Sequence, residues 1–213
     1  MEKLIYEKKL WESGVTSIAG VDEVGRGCLA GPMVVASVIL NKDHFTANTK
    51  DNSLLMETYV QIKDSKKISS KKRDYLSEFI HDVSINYSIE IISHEIIDNS
   101  GISHATQMGF YNAFKKSGAQ HILTDMFEIK GLAKNKQTNI KGGDNLSLTI
   151  AAASIVAKVF RDNLMIELNE KYKNYGFSQH KGYGTKMHKE AIEKYGPCEI
   201  HRMSFEPLKS LKI

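Results

Sequence analysis

An α/β layer fold built on a mixed sheet is predicted by three features of the sequence. Strand-like runs come first and are followed by a mixture of helices and strands, a glycine-rich turn joins the first two strands, and one long Ala-rich segment must pack inside the molecule. The chain of 213 residues is 41% apolar and 25% charged with 3 Pro, which suits one globular fold and excludes a disordered or collagen-like chain.

Leu4, Ile5, Leu10 and Trp11 share a helical face, so a helix is predicted over the first dozen residues, ending near Gly14. Ser17 to Asp22 reads as a strand that runs into Gly25, Gly27 and Gly31, and Met33 to Leu40 as a second, largely buried strand. The two form a hairpin. Ser69 or Ser70 can cap a helix over Lys71 to Val83, and alternation at Ile85, Tyr87, Ile89 and Ile91 marks a third strand. A helix over Ser103 to Lys116 precedes a short strand, His121 to Thr124, that ends in Asp125; at most a short strand follows around Thr138 to Lys141. The strongest helical stretch runs from about Leu146 to Lys171, and its Ala-rich first half places it at the centre of the fold. Thr185 caps a last helix that Gly196 and Pro197 stop. Residues 1–145 are expected to form the sheet-bearing core and 146–213 the central helix and a helical C-terminal part of the same domain.

The longest apolar stretch, Leu148 to Ala157, falls short of the ~18 apolar residues a membrane span needs. MEKLIYEKKLWE contains no apolar h-region, so no secretory signal is expected and the expected compartment is cytoplasmic. Cys28 and Cys198 are read as packing residues.

The net charge of +4 is unevenly spread. Asp74 to Phe114 holds six acids and no Lys or Arg. By contrast Lys63 to Arg73 holds six bases against one acid, Lys130 to Lys141 four against none, and Lys171 to Lys189 five against none. One such run is ordinarily solvated surface, but three make a polyanion-binding face worth weighing. In the last run Tyr172, Tyr175, Phe177 and Tyr183 alternate with lysines, which suits either sugar and base contact or core packing.

Asp22, Glu23, Asp125 and Asp144 all fall at element ends beside glycine or a turn. Any one of them reads as a turn or cap residue. Four carboxylates gathered at strand ends would repel one another and need cations to stay ionised, and oxygen-only ligands select Mg²⁺ or Mn²⁺. Neighbours on a regular strand face opposite ways, so Asp22 and Glu23 can serve one site only where the strand ends. The Gly25-Arg26-Gly27 loop leads into a strand rather than a helix, which excludes a dinucleotide fingerprint. It remains either a plain tight turn or a loop that lets backbone approach a substrate, with Arg26 for a phosphate. His180, His188 and His201 show no spacing that implies a partner, so metal-free acid–base cleavage ranks below metal-assisted hydrolysis.

The segments IAGVDEVGRGCLAGPMVVASVIL from Ile18, DSKKISSKKR from Asp64, GDNLSLTIAAASIVAKVFRD from Gly143, HKGYGT from His180 and HRMSFEP from His201 together resemble bacterial ribonuclease HII, a type 2 ribonuclease H. The resemblance implies a ribonuclease-H-like fold with a five-stranded mixed sheet. It implies metal-binding catalytic acids at Asp22, Glu23, Asp125 and Asp144, and two divalent ions, Mg²⁺ or Mn²⁺, at the site. It also implies a ribonucleotide-recognising loop at Gly25, Arg26 and Gly27, and a substrate tyrosine at Tyr183. The implied partner is nucleic acid, an RNA/DNA hybrid or DNA containing ribonucleotides, handled by a monomer. Lys66, Lys67, Lys181 and Lys186 are candidates for phosphate contact. The chain departs from the family at Met126, where a glycine usually follows the acid, and at SGISHAT from Ser100.

Overall fold

A computed structural model of the chain describes residues 2–46, 53–63, 65 and 68–211. Lys66 and Lys67 lie outside the described residues. In chain order the elements are α1 (Ile5–Glu12), β1 (Ile18–Val24), β2 (Met33–Leu40), α2 (Asp43–Thr46), α3 (Ser53–Gln61), α4 (Ser70–Val83), β3 (Ser84–Ile92), α5 (His94–Ser100), α6 (Ile102–Ser117), β4 (His121–Asp125), β5 (Gln137–Ile140), α7 (Gly143–Leu146), α8 (Leu148–Lys171), α9 (Phe177–His180) and α10 (Lys186–Tyr195).

The sheet is five-stranded and mixed, in the order β3-β2-β1-β4-β5. β1 and β2 form the expected hairpin and β3 continues it antiparallel, whereas β4 runs parallel to β1 and β5 parallel to β4. The period of two along β2 divides its side chains between two cores. Val34, Ala36, Val38 and Leu40 join α1, α3, α4 and α8 on one face, while Met33, Val35 and Ile39 join α5 and α6 on the other. Every residue from Leu148 to Ala157 is buried. The N-terminus of α8 comes so close to β1 that a Cβ on Gly20 would lie 2.1 Å from the backbone of Thr149. No side chain fits there.

Ser69 caps α4 by accepting from the Lys72 amide, and Thr185 caps α10 by accepting from the His188 amide, as the sequence predicts. Three details differ. The α1 face that packs inward carries Leu4, Glu7 and Trp11, while Ile5 is half exposed, because the Glu7 carboxylate reaches the first turn of α8. In β3, Ile85, Tyr87 and Ile91 of the apolar row are exposed, while Ile89 between them packs against the core on the α4 and α8 side. The opposite row meets α6 through hydrogen bonds, Asn86 donating to the Ser117 carbonyl and Ser88 to that of Ala113. The expected helix from Leu146 is interrupted at Ser147, whose side chain accepts from the Ile150 amide and so starts α8 afresh after α7. Among the described residues no helix is long and apolar enough to cross a membrane.

Candidate active site

Parallel pairing between β1 and β4 stops at Val21 and Thr124, while β1 continues to Val24 against β2 alone. The sheet therefore opens on one side at the level of Asp22. That opening resolves the two-faced strand problem, and both Asp22 and Glu23 line one cavity of about 690 Å³. Asp125, the last residue of β4, and Asp144, in the first turn of α7, line the same cavity, as do Gly25, Arg26, Gly27 and Tyr183. The structure thus brings the four acids, the Gly25-Arg26-Gly27 loop and Tyr183 to one cavity; of the lysine candidates, Lys181 lines a neighbouring cavity that shares Tyr183, and Lys186 pairs with Glu190 at 3.7 Å outside both.

The acids form the floor. Asp22 Oδ1 accepts from the Glu23 amide at 2.8 Å. Burial, then the charge of Glu23, and lastly that of Asp125 hold the Asp22 carboxyl well above the usual carboxylate range, against the pull of hydrogen bonds from Glu23 and Ser154. Asp125 Oδ1 accepts from the Gly143 amide at 2.9 Å, which ties β4 to the start of α7. Asp144 is steadied from outside the cavity, its carbonyl accepting from Lys3 Nζ at 3.0 Å and its Oδ1 from Asn145 at 2.7 Å. Met126 adopts φ 58°, the left-handed backbone that glycine enters freely. Its amide still donates to the Ile140 carbonyl at 3.0 Å, so the backbone about Asp125 keeps its place.

The rim is built from distant parts of the chain. Gly25 has φ +88°, and a Cβ there would lie 2.0 Å from Arg161 Nε. A Cβ on Gly27 would meet nothing within 4 Å, so the fold itself does not require glycine at that position. The Arg26 guanidinium lies 5.7 Å from the Phe127 ring centre. Tyr183 keeps 38% of its surface, between Lys158 Nζ at 5.6 Å and Arg161 Cζ at 5.7 Å from its ring centre. Burial pushes its phenol up to about 12.

A match to the ribonuclease HII family model extends over residues 19–208. The chain belongs to the ribonuclease HII family. It is 43% identical over 213 residues to ribonuclease HII of Acholeplasma laidlawii, covering 99% of this chain and 98% of that one. It is 46% identical over 217 residues to that of Alkaliphilus metalliredigens, covering 96% and 97%. Among solved structures, the ribonuclease HII of Archaeoglobus fulgidus in its complex with PCNA superposes with a TM-score of 0.72 at 25% identity, over 89% of this chain and 95% of that one. The protein is accordingly a metal-dependent ribonuclease H, a hydrolase of a family that cleaves RNA in RNA/DNA hybrids.

Among the described residues, no three His, Cys, Asp or Glu side chains are already gathered as a metal-binding group. The donor set nevertheless fits a hard cation. It is all oxygen, and the charges of Glu23 and Asp125 add to desolvation in holding the Asp22 carboxyl up, so a positive charge among them would favour the ionised form.

Sequence reasoning overlooked Ser65, Ser154 and Lys158, which line the cavity, and Arg161 and Arg202, which hold its rim. Ser65 Oγ and Ser154 Oγ are 2.9 Å apart, both buried. Ser154, Lys158 and Arg161 recur at i, i+4 and i+7 on a helix already read as buried, a signal that could have found them. Arg161 donates to the carbonyls of Pro32, Lys181 and Ala30, and Arg202 to those of Gly31 and Arg26. Burial draws the Arg202 guanidinium down to about 10. Of the aromatics in the last basic run, Tyr175 and Phe177 are core residues. The three histidines that showed no partner spacing are in fact one another's neighbours, buried below the Tyr183 loop.

Proposed function

We propose that this protein incises the RNA strand of RNA/DNA hybrids and also cuts duplex DNA 5′ of a single embedded ribonucleotide, leaving 5′-phosphate and 3′-hydroxyl ends. In the cell such an activity serves removal of misincorporated ribonucleotides and RNA primers. The observation that supports it is the convergence of four acids and four recognition residues on one cavity.

In this reading Asp22, Glu23, Asp125 and Asp144 hold two divalent ions, Mg²⁺ or Mn²⁺. Ions bound there would neutralise charge at the scissile phosphate and supply activated water. The residues of the chain do the rest. Backbone groups of Gly25 and Gly27 approach the 2′-hydroxyl, which both donates and accepts. Arg26 engages the neighbouring phosphate. Tyr183 offers its hydroxyl to the 2′-oxygen and its ring face to the following deoxyribose. Lys158 lines the cavity with its Nζ 5.6 Å from the Tyr183 ring centre and 2.8 Å from Asp162, which places it beside the phosphate path. Residues 1–145 bear the carboxylates and 146–213 the supports of the tyrosine, as parts of one domain acting as a monomer in the cytoplasm.

The test is a labelled DNA duplex with one ribonucleotide beside a continuous RNA/DNA hybrid. Both should be cut with Mg²⁺ or Mn²⁺ and neither in excess chelator, and Tyr183→Ala should impair the single-ribonucleotide cut more than duplex binding. Cutting in chelator would overturn the metal role, and wild-type cutting by Tyr183→Ala the recognition role.

A further inference from the structure

Three imidazoles lie beneath the loop that presents Tyr183. His180 stacks on His188 with ring centres 4.4 Å apart, His188 Nε2 is 3.1 Å from His201 Nε2, and Phe177 stands edge-on to the stack. Their hydrogen bonds fix every proton. The Cys198 amide can only donate, and it lies 2.8 Å from His201 Nδ1, so that nitrogen is an acceptor and the ring carries its proton on Nε2. The Cys198 carbonyl is farther from the same nitrogen, at 3.2 Å, and cannot accept from a nitrogen that is itself accepting. Nε2–H of His201 must then donate to His188 Nε2, which places the His188 proton on Nδ1. That atom lies 3.0 Å from the Tyr183 carbonyl, which can only accept. The third ring obeys the same logic: the Gly182 amide donates to His180 Nδ1, and His180 Nε2–H donates to the Tyr175 carbonyl at 2.7 Å.

Each ring is neutral in this arrangement, and burial favours that form in all three; His188 and His201 are drawn down to about 4. Reversing any one tautomer would set two N–H groups or two lone pairs face to face. The chain of donors ends on the backbone of the one residue in this region whose ring is offered to the cavity. Gly182 and Gly184 flank Tyr183, so its backbone needs outside support to hold one conformation. Its carbonyl accepts from the Thr185 amide at 2.8 Å as well as from His188.

We propose that His188 is a positioning residue for Tyr183: His201 holds it as the Nδ1–H tautomer, and a relay running from the Cys198 amide through both rings sets where the recognition tyrosine stands. This rests on the role given to Tyr183 above, while the relay itself rests on the hydrogen bonds alone.

The experiment has two arms. Imidazole ¹H–¹⁵N correlation spectra of the wild-type protein at neutral pH should show His188 as the Nδ1–H tautomer and His180 and His201 as Nε2–H. His188 found as Nε2–H, or charged, overturns the relay, and this arm needs no variant to fold. In the second arm His188→Asn and His188→Leu are assayed on the single-ribonucleotide duplex and on the long hybrid, beside Tyr183→Ala. Asparagine can place an N–H where Nδ1–H stood, so it should hold KM for the single-ribonucleotide duplex near the wild-type value. Leucine should raise it about fivefold, the worth of one hydrogen bond, with a smaller change on the hybrid. Equal behaviour of the two variants overturns the positioning role. A wild-type Tyr183→Ala would instead show that the reading of Tyr183 has failed, and the spectra would still decide the relay.

Discussion

The floor and the rim of the cavity are fixed by opposite means. On the floor, Asp22 is held by the next amide in the chain and by Ser154 of α8, Asp125 by an amide eighteen residues on, at the junction with α7, and the Asp144 carbonyl by Lys3. On the rim, the Arg26 carbonyl is held by a guanidinium 176 residues away, Pro32 by one 129 residues away, and Tyr183 by the buried histidine relay. Floor residues need the sheet together with α7 and the first half of α8, which pack directly on it. Rim residues need the C-terminal part to be docked, because buried Arg161 and Arg202 satisfy backbone carbonyls with charges that meet no carboxylate among these bonds. The difference implies that floor substitutions change chemistry and spare the fold, whereas substitutions in the rim's supports change both.

The largest effect should follow from Asp144→Asn, which removes charge from the floor at constant size. A loss of ~4 kcal/mol of transition-state stabilisation is about a thousandfold in rate. Melting temperature and circular dichroism should not move. A fall in stability comparable with that of the rim variants would erase the contrast.

Next is Arg202→Met, which keeps much of the buried volume and strips the hydrogen bonds from the Gly31 and Arg26 carbonyls. Unmet buried acceptors should cost about 3 kcal/mol net of the charge no longer buried, and a chain of this size should melt roughly 6–12 °C lower. An unchanged melting temperature would mean that the rim does not depend on its long-range tie.

Acid should loosen the same region by a smaller amount. His188 and His201 stay neutral in the fold down to about 4, while in the unfolded chain they take up protons near 6.5. Above pH 6.5 they contribute no pH dependence. As pH falls from 6.5 toward 4 the unfolded chain binds protons the fold refuses, so stability drops, by about 2 kcal/mol in all once local rearrangement is allowed for. Among the described residues, His180 faces both rings, His94 acts on His201, and the Tyr175 ring and the Cys198 backbone lie against His201. Denaturant midpoints of the wild type and His188→Asn across this range isolate the effect, and parallel curves would remove it.

The two regions also differ in how far the sequence reveals them. Asp125 and Asp144 stand at element ends beside turn residues and Asp22 where β1 has lost its β4 partner, just before the glycine turn, a pattern written locally, and the hairpin and the buried helix follow from periodicity. Arg161, Arg202 and the histidines carry no such mark. A buried arginine bonded to carbonyls and a solvated surface arginine are spelled alike, and the partners of each lie far along the chain. Likewise the row in β3 was legible as a strand, but which side faces the core depends on where α6 lies. Sequence shows period and local chemistry; it does not show which distant carbonyl waits for a donor.

The smallest effect sharpens the contrast from the side of the floor. Met126 and Gly25 both occupy backbone with positive φ, 58° and +88°, one beside a floor acid and one on the rim. A non-glycine residue in the left-handed region costs ~1–2 kcal/mol. Met126 is 68% exposed, so its side chain contributes little packing in return. Met126→Gly removes the strain and adds back ~0.5–1 kcal/mol of chain entropy, for a net gain of about 0.5–1 kcal/mol. Because Asp125 is fixed through the Gly143 amide and the Ile140 carbonyl, neither of which involves the Met126 side chain, cleavage should stay at the wild-type rate. At Gly25 no such trade exists, since any Cβ would strike Arg161. A Met126→Gly protein that melts slightly higher and cuts normally would show that strain on the floor stays local. One that lost activity would show that the methionine side chain shapes the site, and that the floor too depends on more than its own neighbourhood.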